Sequence, residues 1–119
     1  MAKIALLQFD TDPACAARRA AVASLGATVV EGEPRWPAFF DLITKERPDV
    51  IVIACAILSR HAREAARYLG DGFNTRNIPV YLVDVPSAEY NETRASAPRA
   101  TILGLDELRS ALATVGTNR

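Results

Sequence analysis

Four short stretches of continuous aliphatic residues punctuate the chain, at positions 4–9, 28–30, 50–57 and 80–85, and a weaker one lies at 100–103. Unbroken rather than alternating hydrophobicity is what a strand needs when helices cover both of its faces, so the pattern points to a parallel sheet. Between the stretches, apolar residues recur at helical spacing. Residues 13–25 carry the firmest punctuation, with Asp12 to cap free amides, Pro13 at the first helical position and Gly26 as the stop. The predicted buried stripe there is Ala17, Ala20, Ala21 and Leu25, with Val22 beside it. Pro37 opens a second helix through Phe39, Phe40, Leu42 and Ile43, which ends before Pro48. Ser59 caps a third over residues 60–69, with Ala62, Ala65, Ala66 and Leu69 on one face. The loop at 71–77 is polar and expected at the surface. Residues 86–99 hold two prolines and few large apolar groups, which leaves room for a short helix near 88–94. The last helix sets Leu105, Leu108, Leu112 and Val115 at helical spacing and is expected to stop at Gly116.

This order alternates strand and helix five times. Right-handed crossovers and short connections then predict a three-layer, doubly wound (βα)5 parallel sheet with strand order 2-1-3-4-5. At 119 residues, half of them hydrophobic, the chain suits one domain spanning 1–119 with a filled core, and no effector domain is expected after the last helix. Fourteen basic residues balance fourteen acidic ones, so no cationic excess is available to displace counterions from a nucleic acid or to hold an anionic membrane. Cys15 and Cys55 are too few for a disulfide framework and read as buried free thiols. The apolar run near the N-terminus is short for a signal peptide and far short of a membrane span, and a cytoplasmic location is expected.

In such a sheet, ligands gather outside the carboxyl ends of the strands, at the switch point between strands 1 and 3. That address collects Asp10, Thr11 and Asp12 after the first strand, Ala54, Cys55 and Ala56 after the third, Asp84 after the fourth, and residues 101–104 from the fifth.

Several segments in order resemble the receiver domain of bacterial two-component response regulators, over essentially the whole chain. Phe9-Asp10-Thr11-Asp12-Pro13 lies where that family has its acidic cluster, and Arg47-Pro48-Asp49 followed by Val50-Ile51-Val52-Ile53 looks like the run into the phosphoacceptor strand. Asn77-Ile78-Pro79-Val80 looks like the entry to strand 4, and Leu105-Asp106-Glu107-Leu108 like the start of the final helix. The resemblance implies a flavodoxin-like, receiver-like fold, but the residues depart from its phosphorylation chemistry. Counted from Pro48-Asp49, the phosphoacceptor position holds Ala54, which has no nucleophile; the second acidic position holds Thr11, unless Asp12 substitutes; the hydroxyl position of strand 4 holds Asp84. No lysine follows Lys45, so the strand 5 lysine is absent and Thr101 lies near its place. Phosphoryl transfer needs a carboxylate-held cation, a hydroxyl and a lysine around the acceptor. The expectation is therefore a non-phosphorylatable pseudo-receiver, without enzyme activity or cofactor, that acts on a protein partner or as a homodimer. The family's output face, residues 87–115, points to Tyr90, Arg94, Arg99 and Arg109, and Trp36 is a separate candidate anchor.

Three other readings stay open. Asp10, Asp12 and Asp84 would form a Mg²⁺ or Ca²⁺ site if they converged, although Asp12 as a helix cap and Asp10 as a solvated acid is the plainer account, and no metal is expected. Flavodoxin-like folds also hold small molecules at this crevice, yet no glycine-rich phosphate loop follows the first strand. Finally, Cys55 with Arg60 and His61 nearby suggests an activated thiol, with Cys-x4-Arg one residue short of the cysteine-phosphatase loop.

Overall fold

The computed structural model describes residues 3–117, and the side chains of residues 3–112. Its elements run β1 (Lys3–Leu7), α1 (Cys15–Ala23), β2 (Thr28–Gly32), α2 (Ala38–Glu46), β3 (Val50–Ala54), α3 (Ser59–Asp71), β4 (Val80–Val83), α4 (Tyr90–Ser96), β5 (Thr101–Ile102) and α5 (Leu108–Thr117). Single 3₁₀ turns at Ser87–Glu89 and Leu105–Glu107 lead into the last two helices. All five strands are parallel and lie in the order 2-1-3-4-5, as the pattern predicts.

Because successive side chains of a strand point to opposite faces, the apolar runs divide cleanly into two cores. Ala5, Leu7, Ile51, Ile53 and Leu82 pack with Phe39 and Ile43 of α2 and with Ala62, Ala65, Ala66 and Leu69 of α3. Ile4, Leu6, Val50, Val52 and Ala54 pack with Val22 of α1 and Leu108 of α5. The predicted alanine face of α3 is the observed one, and its small side chains bring that helix close to the sheet.

Several element ends differ from the pattern. β1, β3 and β4 stop at Leu7, Ala54 and Val83, short of the predicted 9, 57 and 85. At β4 the cause is Asp84, whose φ of 57° lies in the left-handed region and turns the chain out of the sheet. After β3, the Cys55 N–H still donates to the Val83 carbonyl at 2.9 Å, then the chain bends and Leu58, at φ 46°, feeds α3. Ser59 is therefore not a cap: Leu58 holds the capping position, with no side-chain hydrogen bond. The stripe predicted for α1 is also wrong in phase. Ala17 and Ala20 are exposed, and the buried positions are Cys15, Arg18 and Val22. The helix turns an arginine inward because an acidic partner waits there. α5 continues through Gly116 to Thr117, and the expected packing of Val115 lies outside the described side chains.

Candidate functional site

Arg18 dominates the carboxyl edge of the sheet. Its side chain leaves α1 in line with Cys15 and Val22, is 1% exposed, and ends in a guanidinium surrounded by acceptors. Nη1 donates to Asp12 Oδ2 at 2.9 Å and to Gln8 Oε1 at 2.8 Å; Nε and Nη2 both donate to Asp84 Oδ2, at 2.8 and 2.6 Å. Burial alone would pull the Arg18 pKa down, but the hydrogen bonds to Asp84 and Asp12 and the charges of those carboxylates more than offset it. The guanidinium is held above its ordinary value and stays charged at any pH the fold survives.

Each partner is placed by local chain chemistry. Asp12 uses Oδ1 to accept the Ala14 N–H at 2.9 Å, an Asx-type turn that starts α1, which leaves Oδ2 for Arg18. Asp84 reaches Arg18 from the other side by way of its left-handed backbone, a conformation an aspartate tolerates better than most residues. Gln8, fully inside, presents its oxygen to Arg18 and its amide nitrogen to the Cys15 carbonyl at 3.1 Å and to Glu31 at 3.4 Å.

Through Gln8 the network continues to a second guanidinium. Arg19 Nε and Nη2 pair with the two oxygens of Glu31 at 2.6 and 2.7 Å, and Nη2 also lies 3.4 Å from Cys15 Sγ. The Arg19 hydrogen bond holds the Glu31 carboxyl below its usual range, and the same contact raises the Arg19 pKa. Asp10, Cys15 and Glu31 bring ligand atoms within 4.8 Å of one another, yet Arg19 already lies among them.

The remaining predicted pocket residues are less concentrated. Ala54 is buried at the end of β3, paired with Val83, and faces the α1 and α5 layer. Asp10 and Thr11 are exposed. Thr101 pairs with Tyr81 near the start of β5, whereas the Leu103 N–H meets the Leu82 carbonyl; Thr101 is thus set back from Asp84 and open to solvent. Cys55 is fully buried, and desolvation pushes its thiol up to about 12, so it supplies no thiolate near neutral pH. The activated-cysteine reading finds no support in that environment.

Among solved structures, a candidate response regulator from Chloroflexus aurantiacus J-10-fl matches with a TM-score of 0.74 at 12% identity, over 96% of each chain. The signal receiver domain of a modulated diguanylate cyclase from Desulfovibrio desulfuricans G20 matches with a TM-score of 0.69 at 18% identity, over 97% of this chain and 93% of that one. The fold is that of a receiver domain. No protein-family model and no curated protein matches the chain, so the likeness is one of architecture.

A divalent cation, which the receiver resemblance implies, does not fit the donors present. Asp12 and Asp84 are both bound to Arg18, Asp10 points to solvent, and the buried guanidinium would repel a second cation between them. Pattern reasoning missed Gln8, Arg18, Arg19 and Glu31. Two signals were available: Arg18 lies on the i, i+3, i+7 face with Cys15 and Val22, and three acids at one edge require a counter-charge.

The residues predicted for an interaction face separate in this receiver fold. Tyr90 and Arg94 are exposed together on α4, with the guanidinium 5.2 Å from the ring centre. Arg99 instead lays its aliphatic stem on Gly70 and its head 3.8 Å from Asp71, at the end of α3. Arg109 reaches the Ser24 carbonyl beyond α1 at 3.5 Å, and Trp36 lies across the molecule beside α2. No helix among the described residues is long and apolar enough to cross a membrane.

Proposed function

We propose that this chain is a non-phosphorylatable receiver module of the cytoplasm that has no enzymatic activity and acts by contact with a protein, either a partner or a second copy. The observation that carries the reading is the occupant of the reactive edge: an alanine methyl at the end of β3 and an internal arginine bound to Asp12 and Asp84. Phosphoryl transfer asks for an oxygen nucleophile and a cation that bridges carboxylates to the incoming phosphoryl oxygens. Ala54 offers no such oxygen, and Arg18 satisfies the carboxylates without one. The reading is further supported by the exposed Tyr90 and Arg94 pair on the element that receiver output commonly uses.

Incubation with acetyl phosphate or beryllofluoride and Mg²⁺, followed by intact mass and amide chemical shifts, tests this. The expected result is an unchanged mass and unchanged shifts around residues 8–12, 54 and 84. Stoichiometric addition of a phosphoryl group or a saturable Mg²⁺-dependent shift would overturn it. Sedimentation of the chain alone and with Tyr90→Ala then separates a self-contact through α4 from contact with another protein.

A further inference from the structure

Two cavities open on the side of the sheet that α2 and α3 cover. One, an aromatic cavity of about 420 Å³, lies between those helices among the rings of Trp36, Phe39, His61 and Tyr68. The other, of about 450 Å³, lies at the amino edge of the sheet, where α2 ends and the turn after α3 leads into β4. Its apolar lining is Ile43, Pro48 and Ile78; Arg47 and Asp49 add one charge of each sign, and Thr44, Asn74 and Thr75 complete the wall. One residue before that wall stands Phe73, which at 80% is the most exposed large apolar side chain among the described residues. Hydrogen bonds fix the turn that presents this ring. The Thr75 hydroxyl donates to the Leu69 carbonyl at 2.6 Å, and the Thr75 and Arg76 N–H groups both donate to the Gly72 carbonyl, at 3.3 and 2.9 Å. The Arg76 guanidinium lies 5.3 Å from the centre of the Phe73 ring. A benzyl group held in water in this way has already lost the freedom that binding would otherwise cost it.

We propose that Phe73 of one copy of this chain seats in the amino-edge cavity of a second copy, and the reverse, to form a two-fold dimer. Three observations choose a second copy as the occupant. The first is position: the turn that carries Phe73 also supplies Asn74 and Thr75 to the cavity wall, so knob and hole lie side by side on one face. A two-fold axis over that turn seats both rings at once and closes the assembly, as an isologous contact requires. Any other protein would have to bring a ring for the cavity and a separate hole for Phe73. The second is size, since cavities of about 150 Å³ accept a benzene; the ring fits against Ile43, Pro48 and Ile78 with space for its stem. The third is charge. Arg76 travels with the ring and has no ion-pair partner among the described residues, while the cavity wall carries the Asp49 carboxylate, held in place by the Lys3 N–H at 2.9 Å. The Arg47 side chain, also without a partner among the described residues, is left to face the incoming ring, as Arg76 does in the single copy. Two rings and their rims make a small interface, and small interfaces give weak, concentration-dependent association.

The proposal rests on the reading that the module acts by protein contact, and narrows that contact to a second copy at this edge. The test is sedimentation velocity of the full chain over a concentration series up to roughly 1 mM, a range that reaches weak self-contacts, beside Phe73→Ser and Thr44→Arg. Both substitutions change exposed side chains, and an unchanged urea midpoint is the control for folding. Thr44→Arg places a long cation in the cavity, against the incoming Arg76. The parent is expected to approach the mass of a dimer and go no further, and each variant to weaken that association at least about tenfold. Isotope-filtered NOEs from the Phe73 ring of an unlabelled copy to the Ile43 and Ile78 methyls of a labelled copy are expected in the parent. A parent that stays monomeric, one that grows past a dimer, or one whose association survives Phe73→Ser would overturn the proposal. Association lost in Tyr90→Ala but kept in Phe73→Ser would move the self-contact to α4, which overturns this inference and leaves the proposed function intact; stoichiometric phosphorylation would do the reverse.

Discussion

Arg18 sits where its chemistry is hardest to replace. Asp12 is almost entirely buried, so deleting the guanidinium leaves a carboxylate in a low-dielectric edge with one backbone N–H as its remaining partner. Arg18→Met, which keeps most of the stem, is expected to destabilise the fold by about 3 kcal/mol, near the lower end for a broken buried pair because Asp84 can still reach water. Urea unfolding measures this. The same variant frees Asp12 and Asp84, so millimolar Ca²⁺ or Mg²⁺ should raise its melting temperature and leave that of the parent unmoved. Thr93 presents the opposite case. It is fully buried on α4, and its hydroxyl has no hydrogen-bond partner among the described residues. Thr93→Val exchanges an unsatisfied oxygen for a methyl of similar size and should stabilise the chain by about 1 kcal/mol in the same assay.

At the scale of elements, two arginines, each paired with carboxylates of a neighbouring element, tie the fold together, and both clusters respond to acid. Arg19 of α1 clasps Glu31 of β2; Arg63 of α3, itself buried, donates at 2.7 Å to Glu89 at the entrance to α4 and at 3.3 Å to Glu92. Ser59 also donates to Glu89, and this bond, followed by that from Arg63, lowers the Glu89 pKa as Arg19 lowers that of Glu31. A carboxyl whose folded pKa is depressed contributes stability above its unfolded pKa, about 4.3, and that contribution disappears as pH falls through the lower folded value. The urea midpoint should therefore be level near neutrality and fall below about pH 4.3, with a shallower fall in Glu31→Gln. Hydrogen exchange in α4 should quicken first at low pH, because Arg63 ties that seven-residue helix and its entrance to α3 through Glu92 and Glu89. The short helix predicted near 88–94 from two prolines is observed at Tyr90–Ser96. The arginine that anchors it was not legible, because an Arg within an alanine-rich helix pattern normally reads as solvated surface.

For the molecule as a whole, the receiver fold places its reactive edge and its aromatic cavity on different elements. The edge joins β1, α1 and β4 around Arg18, whereas the cavity lies between α2 and α3.

The alternation of apolar runs with helical spacing was sufficient to determine the five-strand winding, since continuous hydrophobicity requires cover on both faces and right-handed crossovers leave few orders for five parallel strands. It also determined that residue 54 is an alanine, and hence that no carboxylate stands there. Tertiary structure alone decided how the acids at that edge are neutralised. Asp84 lies 66 positions from Arg18 along the chain, and only folding turns the helix so that an arginine, rather than the neighbouring alanines, faces inward. Periodicity weighs each residue by its own hydrophobicity. The side that a charged group faces is set by the partner it meets in space.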